Sequence, residues 1–463
     1  MSRHLQLTLL GLVCLAFTYS LTTNHSALAQ GKNAEAEDPY VVPDPKSFGL
    51  EIPDGPPRPG YGRLVLVRDE LGEEVTAKLH VMVSDHSIVV LPSGRLHSLP
   101  TAQTKTTEKP YQPWSKAQLL DFYTKQTFKN FKTRSTAHYV YVYDSSDVFA
   151  KGTSAILESM YPPLMSYLKR SKLDVQEPDV PLPVVMFRSE DDFQKYREMP
   201  SGVVAYYDTI TNQVIMYEQS RLGQIAPEMA VKQAISTVAH EGVHQILHNV
   251  GVQQRLSRWP MWISEGLPEY FSPTEVKASR WKGVGMPNDM RLYELGQYLE
   301  SVGGATSTGD TVQKIVTAPR LTSTGYAASW GLVHYLAKNK EKEFFAYLRE
   351  LSNLGPLEGQ GDIRALDKPK EEQIVVFKRH FGDELPKMEQ LMIRHLQRLP
   401  YADPFLNQTH YVVRILDGNL LRTFITTSPA SIYRMQKELE GSAARVSVQA
   451  YPNRQTAEVA ASR

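Results

Sequence analysis

The chain has 463 residues, 41% hydrophobic and 22% charged, the composition of an ordinary globular protein with room for one large domain plus appendages. Its 51 Lys and Arg against 50 Asp and Glu leave almost no net charge, and no basic cluster stands out. A nucleic-acid partner and a polybasic membrane patch are therefore excluded from the expectations.

The first 29 residues read as a signal peptide: Arg3 and His4, an apolar core at 7–17, then the small-x-small triplet Ala27-Leu28-Ala29. The core is too short to span as a membrane helix in the mature protein, and cleavage after Ala29 predicts export to the periplasm or medium. A retained N-terminal anchor is the alternative. The only cysteine, Cys14, lies in this segment. The mature chain then has no disulfide or thiol nucleophile, and any metal must be held by His, Asp or Glu.

Residues 30–60, rich in Pro, Gly and acids, read as a linker. Residues 61–100 alternate apolar and polar side chains between turn signals and predict a small β module. The main body runs from 114 to 400. Stretches 138–146 and 181–189 are strand-like, with a helical segment between them, and 202–218 has two β-prone arms around Asn212. Beyond about 228 the patterns are mostly helical. Sheet first and helices afterwards is an α+β order. The tail, 401–463, predicts a small ββαβ module whose hairpin turns at Asp417-Gly418.

Within the helical half stands HEGVH, 240–244. On a helix, His240 and His244 lie one turn apart on one face, near enough for both imidazoles to reach one ion. Glu241 is rotated about 100° away, beside such an ion, where it can take a proton from an activated water. Apolar flanks, from Ala234 to Val250, place these polar groups in an interior helix where they need partners. A metal is one such partner; backbone groups and carboxylates are the other.

The block WPMWISEGLPEYF, 259–271, follows. A second helix returning alongside the first would bring Glu265 in as a third ligand, completing a His-His-Glu zinc site with an open position. Glu269, one turn on, shares that face and can steady a ligand histidine from behind. The competing reading is a solvated acidic face, which the surrounding Trp259, Trp262, Leu267, Tyr270 and Phe271 disfavour.

HEGVH followed by SEGLPEYF resembles the gluzincin metallopeptidases of the thermolysin-like clan. It is further similar to exported peptidase-MA-like proteins, many of undescribed function, which carry a Trp-x-x-Glu-Gly-x-x-Glu-Tyr-Phe block. The similarity covers roughly 135–350. The resemblance implies a gluzincin-like metallopeptidase domain, a mixed-sheet subdomain followed by a helical one. It further implies Zn2+ held by His240, His244 and Glu265, Glu241 as general base, and Glu269 behind the ligands. Pro268 stands where such proteins usually carry Ala, which fits a helix beginning around Ser264 to Gly266 with Pro268 in its first turn. The metzincin pattern fails, since Leu247 and Val250 occupy its Gly and third-His positions. His248 is roughly 12 Å along the axis from His240.

Related gluzincins carry a substrate-facing tyrosine on a helix similar to GYAASWGLVHYLAK, 325–338. The matching position is Tyr326, which could donate to a tetrahedral oxyanion, or simply pack at a helix start. His334 is the runner-up. The 202–218 hairpin occupies the place of the clan's edge strand, which pairs with substrate backbone. No Gly-x-Met-Glu-Asn-like block precedes the motif, so an endopeptidase or oligopeptidase is favoured over an aminopeptidase. The expectation is thus an exported zinc peptidase acting on peptide or protein. The competing expectation is an inactive, peptidase-like binding or scaffold protein of the same fold.

Overall fold

The alternating segment near the N-terminus becomes, in a computed structural model, an antiparallel β module. The structure describes residues 13–17, 49–200, 202–219, 227–273, 275–277, 280–301, 309–359, 371–406, 408–418, 420–427, 429–439 and 441–462. The triplet Ala27-Leu28-Ala29 and residues 30–48 of the stretch read as a linker lie outside them. Val13–Phe17, from the apolar core read as a leader, forms β1. Among the described residues no helix is long and apolar enough to cross a membrane. Among the described residues the chain divides into two units, the second made of 287–301 and those described from 398 onward.

The module contains β2 (Pro57–Pro59), β3 (Leu64–Arg68), β4 (Glu74–Val83), β5 (His86–Val90), β6 (Leu96–Pro100) and β7 (Lys105–Thr106). The strand order is β6-β5-β4-β3-β7, and β2 adds to β4. Pro57–Pro59 and the fully buried Leu50 thus belong to the module, although both fall in the stretch read as a linker. One apolar cluster, including Val65, Val67, Leu79 and Leu99, is internal to the module. A second joins Leu50, Val81, Val83, Ile88 and Leu96 to Ile210, Leu256 and Leu357 of the main body.

The main sheet takes β8 (Lys132–Ser135), β9 (Tyr139–Tyr143), β10 (Leu182–Ser189), β11 (Val203–Asp208) and β12 (Gln213–Gln219) in the order β1-β11-β12-β10-β9-β8. Strand β10 is parallel to both neighbours; the outer pairings are antiparallel. Continuous apolar runs such as YVYVY in β9 are the pattern of strands covered on both faces. One face buries Val140, Val142, Val185, Phe187, Ile215 and Tyr217 with α1 (Lys116–Phe122) and α3 (Glu190–Tyr196). The opposite face takes α2 (Asp147–Arg170) and α4 (Pro227–Asn249).

Two glycines set the helix packing. A Cβ on Gly242 of α4 would collide with Leu157 and lie 2.9 Å from Met160 of α2, so the two helices cross in close contact there. Helix α5 (Met261–Phe271) returns beside α4, while α6 (Asp289–Ser301) belongs to the second unit. After α7 (Asp310–Thr317) comes α8 (Ser323–Asn339), packed on α5 at Gly266, where a Cβ would stand 2.9 Å from the Ser329 carbonyl oxygen. At Lys340 the chain breaks from α8 into α9 (Glu341–Ser352). Helices α10 (Glu371–Phe381) and α11 (Leu385–Leu396) complete this unit.

The placing of Pro268 needs correction. Helix α5 starts at Met261, so Pro268 sits in its later half, inside the helix and not in its first turn. Proline there leaves the Ser264 carbonyl without its i+4 donor. Burial of Trp262, Ile263, Leu267, Tyr270 and Phe271 carries the helix through that defect.

In the second unit, β13 (His410–Asp417) lies between β14 (Leu420–Thr426) and β15 (Arg445–Tyr451), with α12 (Pro429–Glu438) before β15. The hairpin turns at Gly418, whose φ is 59°. A last helix, α13 (Arg454–Ala461), is capped by Asn453 accepting from the Thr456 amide; the expected ββαβ pattern did not include it.

Candidate metal centre

Helix α4 supplies two imidazoles and α5 a carboxylate, and all three are buried: His240 and Glu265 are 2% exposed and His244 is 0% exposed. His240 Nε2 stands 3.1 Å from His244 Nε2. Glu265 Oε2 stands 3.3 Å from the first nitrogen and 3.4 Å from the second. Ligand atoms about 2.0–2.1 Å from a tetrahedral zinc are about 3.3 Å from one another. The observed triangle is therefore close to one face of such a tetrahedron, and the triad can hold a metal ion. Among the described residues no other group of three or more His, Cys, Asp or Glu side chains is so placed.

Charge points the same way. Glu269 Oε1 lies 3.3 Å from His240 Nδ1, on the side of the ring away from Glu265. At this separation the Glu269 carboxylate raises the His240 pKa through both hydrogen bonding and charge. Glu241 is 0% exposed and adds to the field on His240. Three carboxyl groups and two imidazoles thus converge in a buried volume, an arrangement that a divalent cation neutralises. Burial opposes a charge on His240, yet Glu265, Glu269 and Glu241 outweigh it and raise its pKa to about 10. Burial likewise opposes ionisation of Glu265, but His244 and His240 hold it down at about 2. For His244 burial prevails and lowers the pKa. Among the described residues His244 Nδ1 has no hydrogen-bond partner, while its Nε2 forms one corner of the triangle.

Tyr326, in the first turn of α8, is 4% exposed with its ring centroid 6.5 Å from that of His240. The close α5–α8 approach at Gly266 brings it there. His334, two turns further, is engaged elsewhere: Nδ1 lies 2.8 Å from His395 Nε2 and Nε2 lies 3.3 Å from the Gly285 carbonyl. Burial, then His395, depresses His334 to about 4. His248 stacks on Tyr207 with Nδ1 on the Gln253 carbonyl, outside the triad, and burial pushes its pKa well down.

The structure adds groups that the sequence did not single out. Gly242 and Gly266 fall inside the two motif blocks and permit the helix crossings that bring the ligands together. Glycine at an interior helix position, costly unless a neighbour approaches closely, was the available signal. Gln245, beside His244, is fully buried and bonded to the sheet.

A DUF1570 domain, described as a protein of unknown function, spans residues 234–358 and so contains His240, Glu241, His244, Glu265, Glu269, Tyr326 and His334. No curated protein matches the chain.

Proposed function

We propose that the protein is an exported, zinc-dependent peptidase of the peptidase-MA-like kind, with His240, His244 and Glu265 as the zinc ligands. The observation that carries this reading is the triangle of donor atoms, 3.1, 3.3 and 3.4 Å on its edges, with Glu241 buried beside it. When bound, zinc supplies Lewis acidity toward a peptide carbonyl and makes water acidic enough to deprotonate near neutral pH.

The rest of the chemistry belongs to the chain. Glu241 accepts the proton of the attacking water and passes it to the leaving amine. Glu269 keeps the His240 ring oriented and electron-rich through Nδ1. Tyr326 donates from its hydroxyl to the developing oxyanion. Once the leader is cleaved, an extended substrate takes the outer side of β11, the edge against which Val13–Phe17 pairs antiparallel in the structure. Main-chain pairing of this kind suits an endopeptidase or oligopeptidase.

The test is Glu241→Gln, assayed on a random peptide library with and without chelator. Chelator-sensitive cleavage by the native protein, lost in a Glu241→Gln variant that still holds zinc, supports the reading. Equal cleavage by both removes Glu241 from the mechanism. Zinc binding with no cleavage by either favours a binding or scaffold role.

A further inference from the structure

Helix α4 is fastened to the sheet on a flank turned away from its two histidines. Gln245, rotated about 100° from His244, donates through Nε2 to the Pro183 carbonyl and the Asn212 carbonyl, each at 2.9 Å. One turn on, Asn249 and Asn212 exchange side-chain amide bonds of 2.9 and 2.7 Å. Asn212 is fully buried with φ 62°, a left-handed conformation that asparagine tolerates. Its Oδ1 also accepts from the Tyr207 hydroxyl at 2.8 Å.

The same turn is gripped from its other side by the N-terminal module. The Leu96 amide donates to the Ile210 carbonyl at 2.8 Å, and the Ile210 side chain fills the cluster of Leu50, Val81, Val83, Ile88 and Leu96. Arg255, shortly after α4, donates through Nη1 to Gly94 of the module at 2.7 Å and to Thr209 of the turn at 3.3 Å. His80 of β4 meets the Arg255 carbonyl at 2.8 Å.

We infer that the turn at 209–212 transmits the seating of the N-terminal β module to the metal helix, with Asn212 and Gln245 as positioning residues that fix the rotation of α4. These bonds lie on a flank of the helix away from the two histidines, so loosening them turns His240 and His244 off the triangle. Metal sites require ligand placement within about 0.5 Å, so such a turn weakens binding without removing a ligand. The module, on this account, is part of the catalytic apparatus and not a separate binding domain. The inference rests on the zinc reading of the triad.

The test uses the full chain carrying Gln245→Met, Ile210→Ala, Ile210→Val or, as a control in the module's internal cluster, Leu99→Ala. Zinc affinity is read by competition with a chromogenic chelator, and amide exchange over 238–246 is read in chelator-treated protein. Gln245→Met is expected to bind zinc about 10–100-fold more weakly, as for loss of a residue supporting a ligand. Ile210→Ala should weaken zinc less and speed exchange, with Ile210→Val intermediate and serving in its place if the alanine variant fails to fold. Leu99→Ala should lower the melting temperature while keeping native zinc affinity and exchange. Native affinity in Gln245→Met, or equal changes in Leu99→Ala and the Ile210 variants, overturns the coupling. If the native protein binds no zinc, the zinc reading falls and exchange alone decides: acceleration by Ile210 variants but not Leu99→Ala upholds the coupling, and any other pattern overturns it.

Discussion

Two histidine pairs stand in the first unit, His240 with His244, both buried, and His334 with the half-buried His395, and their surroundings give them opposite characters. Around His240 and His244 stand Glu241, Glu265 and Glu269, which push His240 up to about 10. Around His334 and His395 stand the Gly285 carbonyl, the Asn339 amide and the Lys338 charge, and burial takes His334 down to about 4. The first pair is prepared for a cation by the carboxylates; the second is a hydrogen-bonded contact between α8 and α11 in which burial favours neutral His334. Proximity of two imidazoles alone therefore says little, and the carboxylates make the difference.

The largest effect should come from removing a carboxylate of the first pair. Glu265→Ala should lose nearly all bound zinc and all cleavage, while His334→Ala should keep zinc and lose only stability; metal analysis of both proteins checks this. Glu241→Gln should keep zinc and lower kcat by about 100–10,000-fold, the range for a general base, measured on any peptide the native protein cleaves.

Tyr326→Phe should follow, with kcat down about 100–1,000-fold, KM little changed, and zinc and melting temperature unaffected. Near-native turnover would leave Tyr326 a packing residue. Loss of Glu269 should be milder still: in Glu269→Ala, zinc affinity should fall about 10–100-fold without loss of the site.

The smallest effect distinguishes the pairs by pH. The folded pKa of His334 lies below its ordinary value of 6.5, at about 4, so the unfolded chain binds more protons between those values. Stability from neutral His334 is thus full above about pH 6.5 and is lost as pH falls toward 4. His80, lowered to about 4 by burial and then by Arg255, adds a loss in the same window. Melting curves of native protein and His334→Gln should therefore converge as pH falls from 6.5 to 4.

Much of the arrangement was legible because local spacing dictates it. HEGVH fixes two imidazoles on one helix face wherever the helix goes, and the aromatic residues around Glu265 and Glu269 required that face to be buried. The strands 139–143 and 182–189 and the hairpin around Asn212 were legible as apolar, β-branched or turn-bounded runs. What escaped depended on partners distant in sequence. Pro268 suggests a helix start near Ser264, yet α5 begins at Met261, because tertiary burial of the flanking aromatics tolerates a proline mid-helix. Docking of the 57–106 module on Ile210, Leu256 and Leu357 could not be read from periodicity, which shows that a face is apolar but not what covers it. Likewise Gln245 carries no motif; its role arises from carbonyls of Pro183 and Asn212.

The central claim is that a triangle of buried donors, built by α4 and α5, holds zinc. The most direct measurement is zinc content of the purified full chain, native and Glu265→Ala, after dialysis against micromolar zinc and removal of free metal. About one zinc per native chain and little in Glu265→Ala is the result predicted. A native chain without zinc, or equal zinc in both proteins, would contradict it.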